Sequence, residues 1–435
     1  MLFDVWYVTI IPEAVLERRK RLKESFNIVL NERNLEDLAD LSFINEEESS
    51  KAQKFHASFP QYSVTPLKRL NNLADLFGVE DIFVKDESLR FGLNAFKVLG
   101  GSYAMAKYIA QKLEMDLEDL PYEKLISPEI KEKLGKVTFI TATDGNHGRG
   151  VAWTSQQLEQ DCVVLMPDGS ALERRDNIRK TGAKCDIMEG LNYDDCVRLA
   201  NKYAEEKGYI MVQDTAWEGY EEIPTWIIQG YSTLAMEAYD QLKEAGKKPT
   251  HIFLQAGVGS FATGVTGFFS DEYKGSEKPF IGLIEPEKAN CNYLTAKIND
   301  GKIHNVEGEM NTIMAGLACG EPVTVGYPIL KSYVDAFLSV PDTSAARGMR
   351  ILGNPIGDDE RVISGESGAA TLGAISEILQ REDLKDIKEK LQLDENSVIL
   401  FISTEGDTDF EHYRKVVWDG YYTNDEKFEY KKIIR

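Results

Sequence analysis

Cysteine and histidine are scarce in this chain. Its 435 residues include five of each. Cys162, Cys185, Cys196, Cys291 and Cys319 form an odd, scattered set with no CxxC pair. That spacing argues against a zinc site and against a disulfide framework. A pairing of Cys291 with Cys319 stays open; buried thiols acting as small hydrophobes are the plainer expectation. His56, His147, His251, His304 and His412 are dispersed, and no HExxH occurs. No metal site is expected.

Long apolar runs are missing too, so no helix spans a membrane in the expected structure. The opening MLFDVWYVTIIPEAV carries an early Asp4 and no basic stretch, which makes a poor secretory signal. Positive charge is in deficit: 50 Lys and Arg against 72 Asp and Glu, or −22 net. Such a surface repels nucleic acid and anionic membranes over long range. Neither partner is expected. No acidic tail holds the excess, which reads as solvation. A local basic pocket for a small anion remains compatible with it. Repeats and low-complexity tracts are absent. The expectation is a reduced, cytoplasmic protein.

What is present is globular. Hydrophobic residues make up 43% and charged residues 28%, close to ordinary averages. A chain of this length buries a sizeable core without staples. At about 150 residues per domain it would hold three domains. One large or two intertwined domains fit equally well.

From Asp81 onward, short apolar runs recur, each ending in Gly, Ser, Thr, Asp or Pro. They are DIFVKDES, KVTFITATDGN, DCVVLMPDGS, YIMVQDT, THIFLQAGVGS, PFIGLIEPE and SVILFISTEGD. Such runs suit strands buried on both faces of a parallel sheet. Helix-period segments alternate with them: GVAWTSQQLEQ, YDDCVRLANKYAEEKG and IIQGYSTLAMEAYDQLKEAG. The alternation predicts an α/β fold. The first 60 residues read as a charged helix or arm, with NEEESSKAQ as a linker. In open α/β sheets ligands sit beyond the carboxyl ends of the strands, where this chain places its glycines and polar residues.

Four segments could carry chemistry. Lys97 stands between Phe96 and Val98, ahead of Gly100-Gly101. Apolar neighbours favour a neutral, nucleophilic amine, as imine formation with an aldehyde cofactor requires. A lone lysine is far more often a solvated helix residue. TATDGNHGRGVAW places Thr143, Asp144, Gly145, Asn146 and His147 where a strand gives way to a helix. Helix-start amides there could hold an anion. Asp144 would repel a carboxylate substrate, unless it merely caps the helix. His147 reads as a hydrogen-bonded turn histidine.

QAGVGSFATG offers Gly257, Val258, Gly259, Ser260 and Phe261 as a phosphate cradle. With Gly264, and Glu285 ending the next strand, it also admits a dinucleotide reading. The pattern is GxGxxxxG rather than GxGxxG, so the loop alone is weak evidence for either cofactor. ILFISTEGDTD closes a strand with Ser403 and Thr404, whose hydroxyls could face a ring nitrogen. The bland alternative is an ordinary strand end with a turn at Asp407. Asp214, in YIMVQDTAWEGY, suits a cationic substrate group or a turn cap.

Together these segments resemble the pyridoxal-phosphate enzymes of the tryptophan-synthase-β, type II fold. The shared order is lysine, SGNHG-like loop, glycine-rich phosphate loop and late Ser or Thr. The strings KDESLRFGLNAFKVLGG, TDGNHGRGVAW, VQDTAWEGY, TIMAGLACGEP, ISGESGA and STEGDTD resemble the diaminopropionate ammonia-lyase family. Asp144 stands where serine and threonine dehydratases usually carry serine. Beside that family the N-terminal arm is long, and Ser260-Phe261 fill the phosphate loop where small residues or Met are common.

The resemblance implies two domains of mostly parallel sheets flanked by helices, with pyridoxal 5'-phosphate in the cleft between them. Residues 97–217 would form the small substrate domain. Residues 1–96 and 218–435 would form the large cofactor domain. Lys97 would hold the cofactor, Gly257 to Phe261 its phosphate, Asn146 its phenolic oxygen and Ser403 its ring nitrogen. Thr404 replaces Ser403 if the alignment slips by one residue. Thr143, Asp144, Gly145 and Asp214 would meet an amino-acid substrate, with Lys97 and Asp144 as bases. The implied reaction converts 2,3-diaminopropionate to pyruvate and two ammonia, in a homodimer. A serine or threonine dehydratase on the same fold is the near rival, and an NAD-binding oxidoreductase the remote one.

Overall fold

The computed structural model describes residues 26–423. Most of the expected N-terminal arm, residues 1–25, therefore lies outside the described residues. Eleven strands are present among those described: β1 (Asn27–Leu30), β2 (Leu67–Arg69), β3 (Asp81–Asp86), β4 (Thr138–Ala142), β5 (Asp161–Pro167), β6 (Lys184–Met188), β7 (Ile210–Met211), β8 (His251–Gln255), β9 (Phe280–Pro286), β10 (Ala336–Val340) and β11 (Val398–Ser403). They form two sheets.

The larger sheet runs β1-β10-β9-β8-β11-β3-β2. Its five central strands are parallel, and β1 and β2 lie antiparallel on the two edges. The smaller sheet, β6-β5-β4-β7, is wholly parallel. The fold is thus α/β with mixed and parallel sheets flanked by helices, as the apolar runs predict. Strands β3, β8, β10 and β11 are buried along their whole length. That is why each reads as a continuous apolar run rather than an alternation.

Some elements differ from expectation. Residues 27–30, read as part of a charged helix or arm, form the edge strand β1. A further strand, β10, forms from the short run AFLSV just before Pro341, outside the apolar runs named above. The expected linker NEEESSKAQ is the start of a helix, Glu46–Ala57. Asn45 caps it by accepting from the Glu48 N–H at 3.0 Å. Three glutamates in its first turn suit the positive end of the dipole. Its Ala52, Phe55 and His56 are buried, so burial of one face, not charge pattern, decides its structure.

Beneath that helix lies a buried ionic cluster. Lys85 of β3 donates to Glu237 at 2.7 Å. Arg90 reaches both oxygens of Glu237 at 2.8 Å and Glu87 at 2.8 Å. All four side chains are buried. Glu237 belongs to the long helix Glu222–Glu244. This helix packs against the Val98–Lys112 helix that begins right after Lys97. The cluster therefore ties the large sheet to the Glu222–Glu244 helix, against which the helix that follows Lys97 packs.

Candidate active site

Polar residues at the carboxyl ends of both sheets face one cleft. It holds about 830 Å³ of space free of protein atoms, its mouth included, enough for a cofactor-sized ligand. Lys97, Thr143, Asp144, Gly145, Asn146, Asp214, Gly257, Val258, Gly259, Ser260 and Phe261 all line it. Their sequence separation is closed by the way the two sheets abut.

Lys97 sits at the start of the Val98–Lys112 helix. Close approach of a neighbouring helix fixes that start. A Cβ on Gly150 would lie 2.8 Å from Val98 Cα and from Val98 N, so only glycine fits. The Nζ of Lys97 donates to Asp214 Oδ2 at 2.6 Å. The apolar neighbours of Lys97 predict a neutral amine; the structure gives the opposite balance. Burial lowers its pKa, but the charge and hydrogen bond of Asp214, together with Tyr231 and Cys319, outweigh burial and hold Lys97 above its ordinary value. Asp214 in turn is pushed up by burial but held below the carboxylate range by Lys97 and His147. The open choice for Asp214, substrate contact or turn cap, thus resolves first into an ion pair with the chain's own lysine.

Thr143, not Asp144, satisfies the helix start after β4. Its Oγ1 accepts from the Gly145 N–H at 2.9 Å and the Gly148 N–H at 3.1 Å. The capping alternative for Asp144 falls away, and its carboxyl is left facing the cleft. Burial raises its pKa to about 6, against the pull of Arg174 and Lys97. Asn146 donates through Nδ2 to Glu405. His147 is hydrogen-bonded as expected, to the Val212 carbonyl oxygen at 2.8 Å, but it stands in the first turn of the Asn146–Gln157 helix rather than in a loop turn.

The glycine loop follows β8. Gly259 has φ +102°, a conformation that favours glycine. It turns the chain into the Ser260–Glu272 helix, whose start carries no side-chain cap. Free amides at such a start attract anions. The Ser260 hydroxyl donates to the Asp214 carbonyl at 2.7 Å, which ties the loop to the smaller sheet.

Ser403 requires a correction. Its hydroxyl donates to Ser364 Oγ at 2.8 Å, and it is not part of the cleft wall. Thr404 is in the wall, and its Oγ1 accepts from Gln255 Nε2 at 2.8 Å. Successive side chains of an extended chain point to opposite faces, so a one-residue shift exchanges core for cleft.

Glu285 does not face a ligand. It is fully buried and accepts from the backbone N–H groups of Asn292 and Tyr293 at 3.0 and 2.6 Å. It caps the Cys291–Ile298 helix, and the dinucleotide reading loses its acid. All five cysteines are free thiols. Among the described residues, no group of side chains could hold a metal and no helix is long and apolar enough to cross a membrane.

Sequence reasoning missed Arg174, Tyr193, Tyr231, Gln255, Ser367 and Glu405 in the cleft wall. Gln255 was signalled, as the polar end of the buried run HIFLQ. Tyr231 and Arg174 arrive from helices and leave no such mark. Several of these atoms await a partner. His147 Nδ1, Arg174 Nε, Tyr231 OH, Gln255 Oε1 and Ser367 Oγ are buried without a hydrogen bond. Buried polar groups are normally satisfied. Their convergence, with a lysine amine and an uncapped helix start, fits a polar aldehyde cofactor bearing a phosphate.

Residues 59–405 match the family model described as "Pyridoxal-phosphate dependent enzyme". The fold and the cleft thus define a pyridoxal-phosphate dependent enzyme. A diaminopropionate ammonia-lyase from Salmonella typhimurium is 52% identical over 384 residues, 88% of this chain and 95% of that protein. The holo diaminopropionate ammonia lyase of Escherichia coli, with selenomethionine incorporated, superposes with a TM-score of 0.85 at 48% identity, covering 92% of this chain and 98% of that one. A biosynthetic threonine dehydratase of Haemophilus influenzae reaches 24% identity over 322 residues, 74% of this chain and 54% of that protein. The chain belongs to the diaminopropionate ammonia-lyase family, and its cofactor is pyridoxal 5'-phosphate.

Proposed function

We propose that this chain eliminates ammonia from both L- and D-2,3-diaminopropionate, yielding pyruvate and a second ammonia. The observation that carries this reading is Asp144, a carboxyl released from capping by Thr143 and lining the same cleft as Lys97. A serine at that position would supply no base.

Lys97 holds the cofactor. The amides from Gly257 to Phe261 hold its phosphate, and Asn146, fixed by Glu405, offers its second N–H to the phenolic oxygen. Thr404 already accepts from Gln255, so its own hydrogen is free for the ring nitrogen. A hydroxyl there supplies no full charge and favours elimination over transamination. When bound, the cofactor supplies the electron sink for the charge left by α-proton removal. Lys97 takes the α-proton of the L-isomer, and Asp144 that of the D-isomer. Asp144 and Asp214 attract the second ammonium of the diamine, which a serine hydroxyl lacks. Thr143 and Gly145 shape the substrate side of the cleft. Residues 97–217 act as the substrate domain and the remainder as the cofactor domain, a division supported by the two separate sheets. The enzyme works in the cytoplasm as a homodimer; free thiols suit a reducing compartment, and the dimer follows the family resemblance.

Pyruvate release tests this directly. The purified holoenzyme is offered L- and D-diaminopropionate, L- and D-serine and L-threonine. Fast release from both diaminopropionates with weak serine activity is expected. Preference for serine or threonine would make the chain a dehydratase and return Asp144 to a structural role.

A further inference from the structure

One buried titratable side chain in the cleft wall has no part in that mechanism. His147 is 2% exposed. Its Nε2 lies 2.8 Å from the Val212 carbonyl oxygen. A carbonyl only accepts, so the hydrogen is assigned to Nε2. Nδ1 keeps its lone pair and has no hydrogen-bond partner. It stands 3.9 Å from Asp214 Oδ2, the same oxygen that holds Lys97 Nζ at 2.6 Å. One carboxylate oxygen therefore stands between a lysine nitrogen and an unprotonated histidine nitrogen.

That arrangement answers a chemical need. A lysine attacks an aldehyde only as the neutral amine, yet Asp214 holds Lys97 charged. Asp214 is a poor final home for the proton, because the charge and hydrogen bond of Lys97 hold it below the ordinary range. Solvent has limited access to the pair. Burial and the charge of Lys97 hold the His147 pKa down, while Asp214 works against both; once Lys97 gives up its charge that hold weakens, and Nδ1 becomes the base beyond the carboxylate that completes the transfer.

We propose that His147 is a positioning residue that accepts the Lys97 proton through Asp214 and so frees the amine for the cofactor. The proton balance is closed. Lys97 Nζ gives a proton to Asp214 Oδ2, and Asp214 gives one to His147 Nδ1. A charged lysine, a carboxylate and a neutral imidazole become a neutral lysine, a carboxylate and an imidazolium. The net charge of the three groups is unchanged, so no uncompensated charge is buried. The new Nδ1–H replaces the lysine as the partner of Asp214. The other titratable or charged groups of the cleft are Asp144, Arg174, Tyr193, Tyr231, Cys319 and Glu405.

This inference rests on Lys97 being the cofactor lysine. The test uses the apo chain mixed with pyridoxal 5'-phosphate, with capture followed by visible absorbance from pH 6 to 10. His147→Gln can still donate to the Val212 carbonyl but cannot take a proton. Capture by the variant should be slower by about 10²-fold near neutral pH, with the gap narrowing toward the alkaline end as solvent hydroxide begins to compete as the base. Independently, the ¹⁵N shift of His147 Nδ1 in wild type should change from unprotonated in the apo chain to protonated in the loaded one. Capture by the variant at the wild-type rate throughout, or an Nδ1 that stays unprotonated on loading, would overturn the relay. Borohydride fixing the cofactor to a lysine other than Lys97 would instead overturn the reading beneath it.

Discussion

The carboxyl of Glu285 accepts hydrogen bonds from the backbone N–H and the side-chain Nδ2 of Asn292, both at 3.0 Å. The same Nδ2 donates to the Gly257 carbonyl at 3.0 Å. A residue at the end of β9 thus fixes the loop proposed to receive the cofactor phosphate. Burial raises the Glu285 pKa to about 8 in spite of these donors, so the acid is largely protonated at neutral pH.

Glu285→Gln keeps one accepting oxygen but sets an amide NH2 against the donor on the other and should cost about 1–2 kcal/mol, while Glu285→Ala leaves several buried donors unpaired and should cost about 3 kcal/mol. The acid also sets a pH slope. Its folded pKa lies above the ordinary 4.5, so the folded state binds the extra proton between those values. The stability this group contributes is full below its ordinary value and is lost as pH rises through about 8. Urea denaturation across this window should show the slope in wild type and lose that component in Glu285→Gln. An unchanged slope in the variant would refute the assignment.

Asp144→Asn should lower activity on D-diaminopropionate by about 10²- to 10⁴-fold and spare much of the L-activity. In wild type the base must be ionised. With a pKa of about 6, D-isomer turnover should fall as pH drops through that value. Pyruvate release by each isomer across pH measures both effects. Equal losses on the two isomers would sink the two-base reading.

Thr404 and Ser403 are adjacent but should behave differently. Thr404→Ala removes a hydroxyl from the cleft wall, so it should shift the absorbance of the bound cofactor and lower kcat. Ser403→Ala removes a buried bond to Ser364, at a cost of about 1 kcal/mol, with the spectrum unchanged. A spectral shift in the serine variant alone would return the ring contact to Ser403.

Glu237→Gln breaks the buried cluster and should destabilise the fold by about 3–5 kcal/mol, because Lys85 and Arg90 keep too little negative charge. Those cations hold the Glu237 pKa down at about 2 against burial. Its contribution is thus present above the ordinary 4.5 and is lost as pH falls through about 2. Guanidinium denaturation of wild type and variant at neutral pH provides the measure. A loss under about 1 kcal/mol would mean the cluster behaves like a surface pair.

The sequence by itself determined the α/β alternation and the order of the chemical segments. The apolar runs of β3, β4, β5, β8, β9 and β11 are local signals, and Lys97, Asn146 and the Gly257–Phe261 loop are read from neighbours in the chain. β1, β2, β6 and β10 were less legible: β1, β2 and β6 are edge strands, and β10 lies next to the edge strand β1. β2 has only three residues.

Tertiary structure decided the finer chemistry. It released Asp144 by giving the helix-start amides to Thr143. It turned Thr404 rather than Ser403 toward the cleft, since side chains on extended backbone alternate and a slip of one residue reverses the face. It spent Glu285 on a helix cap. It set the charge of Lys97 through Asp214, a residue 117 positions away. Local patterns record which residues end a strand. Charge state and hydrogen-bond partner depend on what packing brings within a few ångströms, and packing here joins residues that the chain keeps far apart.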